Sequence, residues 1–186
     1  MMAITLACQI PAYATSSGPS ASGLGTAGPQ TSAARTPETQ TLKEPEIQAE
    51  GAVVIDAASG TILYGKNEKN RFYPASITKL MTALLVLERC SLDDTVTFSK
   101  TATTNLEAGA VSLKLTEGDK LTVRQCLYAL LLKSANEVAN GLAEHVSGSV
   151  SGFADLMNQK AAALGCTGTH FTNPHGLNDT NHYTTP

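Results

Sequence analysis

Pro74-Ala75-Ser76-Ile77-Thr78-Lys79-Leu80-Met81-Thr82-Ala83-Leu84-Leu85-Val86-Leu87-Glu88 is the stretch on which the fold turns. Proline's fixed φ and missing N–H suit a first helical turn, so a helix should open at Pro74. From Ile77 to Leu87 nearly every face is apolar, which predicts a helix buried all round at the centre of the domain. One polar pair interrupts it, with Ser76 in the first turn and Lys79 one turn on, on the same face. A serine hydroxyl is a poor nucleophile until an adjacent base takes its proton. Lysine can be that base only where burial or a nearby cation depresses its pKa. Taken alone, this Ser-x-x-Lys also reads as a plain N-cap followed by a lysine snorkelling to the surface.

Upstream of that helix, Ala52-Val53-Val54-Ile55-Asp56 and Thr61-Ile62-Leu63-Tyr64 flank the turn Ala57-Ala58-Ser59-Gly60, which predicts a β-hairpin. Downstream, Thr122 and Gln125 make a capping box that should open a helix running through Leu132. A short break at Lys133-Ser134 leads into a further helix ending near Gly148. Phe153 to Leu164 predicts another, closed by Gly165 in the left-handed cap position. One hairpin and about four helices leave the sheet short of strands, since a two-stranded ribbon is marginal by itself. The expectation is therefore that this chain is part of a larger domain.

Ser134-Ala135-Asn136 falls at the break between two helices, 58 residues beyond Ser76. There a hydroxyl and an amide can face a cleft, relay a proton and hold a substrate amide. Helix capping is the bland alternative. With the Ser-x-x-Lys it makes a stronger signal than either motif, because order, spacing and local structure all have to agree.

The first fifty residues read differently. Residues 1–14 (MMAITLACQIPAYA) are apolar and end in Ala12-Tyr13-Ala14, the small-x-small pattern of a secretory cleavage site, although no Lys or Arg precedes Arg35. They read as the remnant of a signal peptide. In residues 15–50, Ser, Thr, Pro, Gly and Ala make up 24 of 36, without an aromatic residue. Such a segment cannot bury enough apolar area to offset its ordering entropy and should be a disordered linker. A signal followed by a tether places the folded part, 51–186, outside the cytoplasm. Of the four cysteines, Cys90, Cys126 and Cys166 would remain after cleavage at that site, an odd number with two of them on apolar helix patterns, and buried free thiols are expected rather than a disulfide.

Composition removes whole classes of function. A net charge of −3 over 186 residues supplies no basic footprint for nucleic acid. With 5% aromatic residues and no Trp there is no stacking platform for single strands. No apolar run approaches the length of a membrane span. His170, His175, His182 and Asp179 could suggest a metal, but their spacing fits no compact ligand signature, and no metal or cofactor is expected.

With both motifs placed, the chain resembles the serine D-alanyl-D-alanine carboxypeptidases, the low-molecular-mass penicillin-binding proteins of bacterial cell walls (peptidase family S11). The likeness runs from about Gly51 to Pro186, through AVVIDAASGTILYGKN (52–67), PASITKLMTALLVLE (74–88), LTVRQCLYALLLKSANEVANGLAEHVSG (121–148), THFTNPHGLND (169–179) and HYTT (182–185). It implies an α+β fold of the β-lactamase/D,D-peptidase type, a helical cluster packed on an antiparallel sheet. Only the first hairpin and the helical part of that fold would lie in this chain, so 51–186 would be the N-terminal part of a catalytic domain. The resemblance implies that Ser76 attacks the D-Ala-D-Ala carbonyl, Lys79 accepts its proton and Ser134 shuttles it to the leaving D-Ala. Asn136 would bind the substrate amide and hold Lys79, and the Ser76 N–H would give half of an oxyanion hole. The partners implied are a peptidoglycan stem peptide ending in D-Ala-D-Ala and β-lactams as covalent inhibitors, in the cell envelope, with no membrane anchor in this chain.

Two departures stand out. Where the family usually has Asp after the Asn, this chain has Glu137, which reads as a tolerated surface variant. No Lys-Thr-Gly or Lys-Ser-Gly occurs, so the strand bearing that third motif is expected beyond Pro186. Two rivals share the motifs. A class A β-lactamase needs a deacylating glutamate well downstream of the second motif, whereas the last glutamate here is Glu144. The other is a catalytically incomplete penicillin-binding fragment at the cell surface.

Overall fold

The computed structural model describes residues 44–104 and 106–186, and one compact unit runs from Ala49 to Pro186. The signal remnant and most of the linker expected at 1–14 and 15–50 lie outside the described residues. The predicted hairpin is present as β1 (Ala52–Ile55) paired antiparallel with β2 (Ile62–Lys66), with a register shift between Val54 and Ile55. Asp56 builds the turn, its Oδ1 accepting from the N–H groups of Ala58 and Ser59 at 2.8 and 3.0 Å.

A 3-10 turn (Ala75–Ile77) leads into α1 (Thr78–Arg89). A second ribbon, which the sequence does not announce, pairs β3 (Thr95–Thr97) with β4 (Lys120–Thr122). Between its strands lies the short α2 (Lys100–Thr103). Thr122 caps α3 (Val123–Tyr128) through the reciprocal box with Gln125, as the spacing predicts. The helix does not continue regularly to Leu132. It widens into a π turn over Ala129–Lys133 and stops at Ser134, whose φ of +63° is left-handed. Then come α4 (Asn136–Ser147), ended by Gly148 at φ +78°, and α5 (Val150–Ala163), with Gly165 at φ +77° just beyond.

The helix at the centre is α4, not α1. Every residue from Asn136 to Ala143 is buried, and α4 touches α1, α2, α3, α5 and β3. Its small residues let neighbours approach: a Cβ on Gly141 would run into the ring of Phe98, itself 1% exposed. The expectation that α1 is buried all round is therefore corrected. Thr78, Lys79, Thr82, Ala83, Leu85 and Val86 face the core, while Leu80 and Leu87 are 62% and 57% exposed. Apolar residues on all sides report what a helix could bury, not what covers it. The three cysteines are free thiols, as expected; of the two on apolar helix patterns Cys126 is buried but Cys90 only half-buried, and Cys166 is exposed.

Candidate active site

Two helix starts meet at the site. The residue before Ser76, Ala75, holds φ at +48°, and the residue that ends the π turn, Ser134, is also left-handed. Such conformations cost a non-glycine residue about 1–3 kcal/mol and persist only where the surroundings enforce them. At Ala75 the enforcing neighbour is Gly176, itself at φ +84°, where any Cβ would collide with the Ala75 carbonyl oxygen. The result aims both hydroxyls at one point: Ser134 Oγ donates to Ser76 Oγ at 2.9 Å.

Neither motif supplies a side-chain N-cap. The turns that open at Pro74 and Ile77 have no side-chain cap, and neither has α4. Lys79 does not snorkel. It is 2% exposed, and its Nζ donates to Ser76 Oγ (3.3 Å), Asn136 Oδ1 (2.9 Å) and the His175 carbonyl (2.7 Å). Three acceptors use all three ammonium protons, yet none is a carboxylate. Burial without an anion pushes the amine down to about 8 from its ordinary 10.5. The neutral amine needed to take a proton is thus within reach near neutral pH.

Asn136 is gripped at both ends. Its Oδ1 receives Lys79, its Nδ2 donates to the Val111 carbonyl at 3.0 Å, and its backbone N–H reaches the same carbonyl at 2.9 Å. One Nδ2 proton is left over for another acceptor. The loop that carries Val111 is tied down by Glu137. This residue is 1% exposed, and its Oε1 accepts from Ser112 Oγ at 2.7 Å and from the Leu113 N–H at 2.5 Å. The reading of Glu137 as a surface variant is therefore corrected: its extra methylene is used inside, reaching a loop that sequence alone does not show folding back onto α4.

The other wall is the segment from Phe171 to His182, to which the sequence pattern assigns no task. His182 is buried; its Nε2 meets Thr78 Oγ1 at 2.8 Å and its Nδ1 accepts from the Thr172 N–H at 3.0 Å. Thr82 Oγ1 donates to the Pro174 carbonyl at 2.7 Å. His175 Nδ1 accepts from the Leu177 N–H at 3.1 Å, and burial, then the Lys79 charge, then His182 push the ring down to about 4. His170 Nδ1 bonds the Asn181 carbonyl, and Asp179 Oδ1 takes the Asn181 N–H. All four residues weighed as metal ligands thus have ring nitrogens or carboxyl oxygens engaged within their own loop or with α1. Between the walls lies a cavity of about 300 Å³ lined by Ala75, Ser76, Val111, Asn136, Gly176 and Leu177 among others.

Residues 38–186 match the family model of peptidase S11, D-alanyl-D-alanine carboxypeptidase. The D-alanyl-D-alanine carboxypeptidase DacF of Bacillus subtilis is 37% identical over 73% of this chain and 36% of its own length. DacB2 of Mycobacterium tuberculosis is 40% identical over 72% of this chain and 44% of its own length. Among solved structures, penicillin binding protein 6B from Escherichia coli superposes with a TM-score of 0.73 at 32% identity, covering 79% of this chain and 49% of that one. The Streptomyces K15 DD-transpeptidase gives 0.72 at 36% identity, over 78% and 59%. The chain spans little more than a third of the B. subtilis relative.

Proposed function

Because the chain belongs to the peptidase S11 family of D-alanyl-D-alanine carboxypeptidases, we propose that it carries the acylating half of a serine D,D-carboxypeptidase site that trims peptidoglycan stem peptides. Ser76 Oγ attacks the carbonyl carbon of the D-Ala-D-Ala bond while neutral Lys79 Nζ takes the hydroxyl proton. The resulting oxyanion lies at the N-terminal end of α1, beside the Ser76 N–H, where the helix field favours negative charge. As the C–N bond breaks, the proton passes through Ser134 Oγ to the departing D-alanine. Water then cleaves the ester and restores Ser76. Asn136 holds Lys79 and offers its remaining Nδ2 proton to the substrate. The scheme calls on no cofactor.

The observation that carries this reading is that Lys79 Nζ and Ser134 Oγ both donate to Ser76 Oγ, with the lysine amine buried and hydrogen-bonded to no carboxylate among the described residues. We further propose export to the cell envelope, with residues 1–14 as signal remnant, 15–50 as linker and 51–186 as part of the catalytic domain. β-Lactams enter as covalent inhibitors because their carbonyl takes the place of the scissile one. Labelled penicillin followed by peptide mapping tests the assignment. The label should sit on Ser76 and vanish in Ser76→Ala; a label on another residue, or one that survives that substitution, refutes it.

A further inference from the structure

The opposite ends of the two site-bearing helices also meet. Cys90 caps the C-terminus of α1, Asp94 lies in the turn that follows, and His145 stands in the last turn of α4. One ligand atom from each lies within 4.8 Å of the other two, and among the described residues this is the one place where three His, Cys, Asp or Glu side chains converge so closely. We propose that Cys90, Asp94 and His145 bind a zinc-type divalent cation that ties the C-terminal ends of α1 and α4 together.

The donor set is one thiol sulfur, one imidazole nitrogen and one carboxyl oxygen, the mixture a borderline-soft ion such as zinc takes. Two charges, thiolate and carboxylate, would neutralise a divalent ion. Both helices present their negative ends there, which favours a cation independently of the side chains. Asp94 is already fixed: its Oδ2 accepts from the Ser91 N–H at 2.8 Å, its own N–H reaches the Ser91 carbonyl at 3.1 Å, and its carbonyl accepts from the Val123 N–H at 2.9 Å. The His145 ring makes no hydrogen bond to the described residues, so a metal would displace nothing. The Cys90 thiol is pushed up by burial and then by Asp94, against a smaller opposite pull from Arg89. It therefore keeps its proton at neutral pH and makes a poor nucleophile. Metal binding would release that one proton to solvent as the sulfur–metal bond forms. Three protein ligands leave a fourth position for water at this exposed edge.

The site lies a full helix away from the chemistry, since the twelve residues of α1 span about 18 Å. Its task would be to set the pairing of α1 and α4, whose other ends carry Ser76 with Lys79 and Ser134 with Asn136. No mechanistic step depends on it.

Cobalt(II) is the probe, titrated into the full 186-residue chain under reducing conditions and followed by absorbance. The expected result is a single equivalent with a thiolate-to-cobalt charge-transfer band, lost in Cys90→Ser and retained in Cys166→Ser and Cys8→Ser. Loss of outer-shell partners alone weakens metal sites by roughly 10- to 100-fold, so His145→Ala should weaken binding by about 100-fold or more. Being an exposed substitution, it should leave the fold intact. Zinc should raise the melting temperature of the parent chain and not that of His145→Ala. Absence of the band, its survival in Cys90→Ser, or equal affinity in His145→Ala would each overturn the proposal.

Discussion

The polar lattice around Lys79 and the β1–β2 hairpin are built on opposite plans. In the lattice, residues far apart in sequence lock one another: Lys79 to the His175 carbonyl across 96 positions, Thr78 to His182 across 104, Thr82 to Pro174 across 92. Each of these pairs has a buried partner, so each bond replaces water that is no longer there. In the hairpin the ordering contacts are local, and Ile55, Ile62 and Leu63 are 50%, 58% and 66% exposed. The groups around Ser76 are thus ordered by hydrogen bonds between α1, α4 and two loops, whereas the ladder of the hairpin joins residues close in sequence.

The severest test of that contrast is Lys79→Arg. It keeps the charge, but a guanidinium cannot give up its proton at usable pH. If Lys79 serves as a neutral base, penicillin acylation should fall by about 100- to 10,000-fold, the ordinary worth of a positioned base. Rapid-quench labelling measures it. A rate within about tenfold of the parent, roughly 1.4 kcal/mol in barrier, would mean that positive charge alone suffices and that the lowered amine pKa serves no purpose. The parent's acylation rate should also rise with pH through about 8 as Lys79 deprotonates, and level off above.

A smaller effect separates the two regions directly. Glu137→Ala leaves the Leu113 N–H and the Ser112 hydroxyl without their buried acceptor, which should cost about 1–3 kcal/mol. Leu63→Ser, in a side chain already two-thirds exposed, should stay within about 0.5 kcal/mol. Chemical denaturation of both variants measures the two losses side by side. Equal losses would show that the hairpin contributes as much to the stability of the fold as the loop held by Glu137.

What the sequence made legible follows the same division. Features written in a few neighbouring residues could be read: the Asp56 turn, the Thr122–Gln125 capping box and Gly165 after α5. The spacing of Ser76 and Lys79 on one face was local too. What could not be read depends on distant partners. Nothing in Asn136-Glu137-Val138 reveals that residues 111–114 return to cover it. Strands of three residues such as Thr95–Thr97 and Lys120–Thr122 are too short to carry an alternation. The ranking of α1 over α4 failed because Leu80, Leu84 and Leu87 look more central than the alanines and glycine of α4. Small residues mark close packing only once the neighbour, here Phe98, is known. The three acceptors of Lys79 include a backbone carbonyl, which no residue pattern announces.

The smallest expected effect concerns acid. Burial depresses His175 to about 4 and also lowers His182, where Asp179 opposes the shift and His170 adds to it. Between the ordinary histidine value of 6.5 and about 4 the unfolded chain therefore binds protons that the folded chain refuses. By linkage the stability these rings contribute is present above the ordinary histidine range and is lost as pH falls toward 4. Carboxyl groups titrate in the same window, so the measurable quantity is a difference between two proteins. His175→Gln keeps an acceptor near the Leu177 N–H but removes the titration. Thermal melts across about pH 4–7 should show the parent losing stability more steeply than the variant, and the hairpin variant Leu63→Ser following the parent. Parallel curves for the parent and His175→Gln would mean that the ring takes up its proton without disturbing the loop, and that the Lys79 lattice is looser at the His175 end than its hydrogen bonds imply.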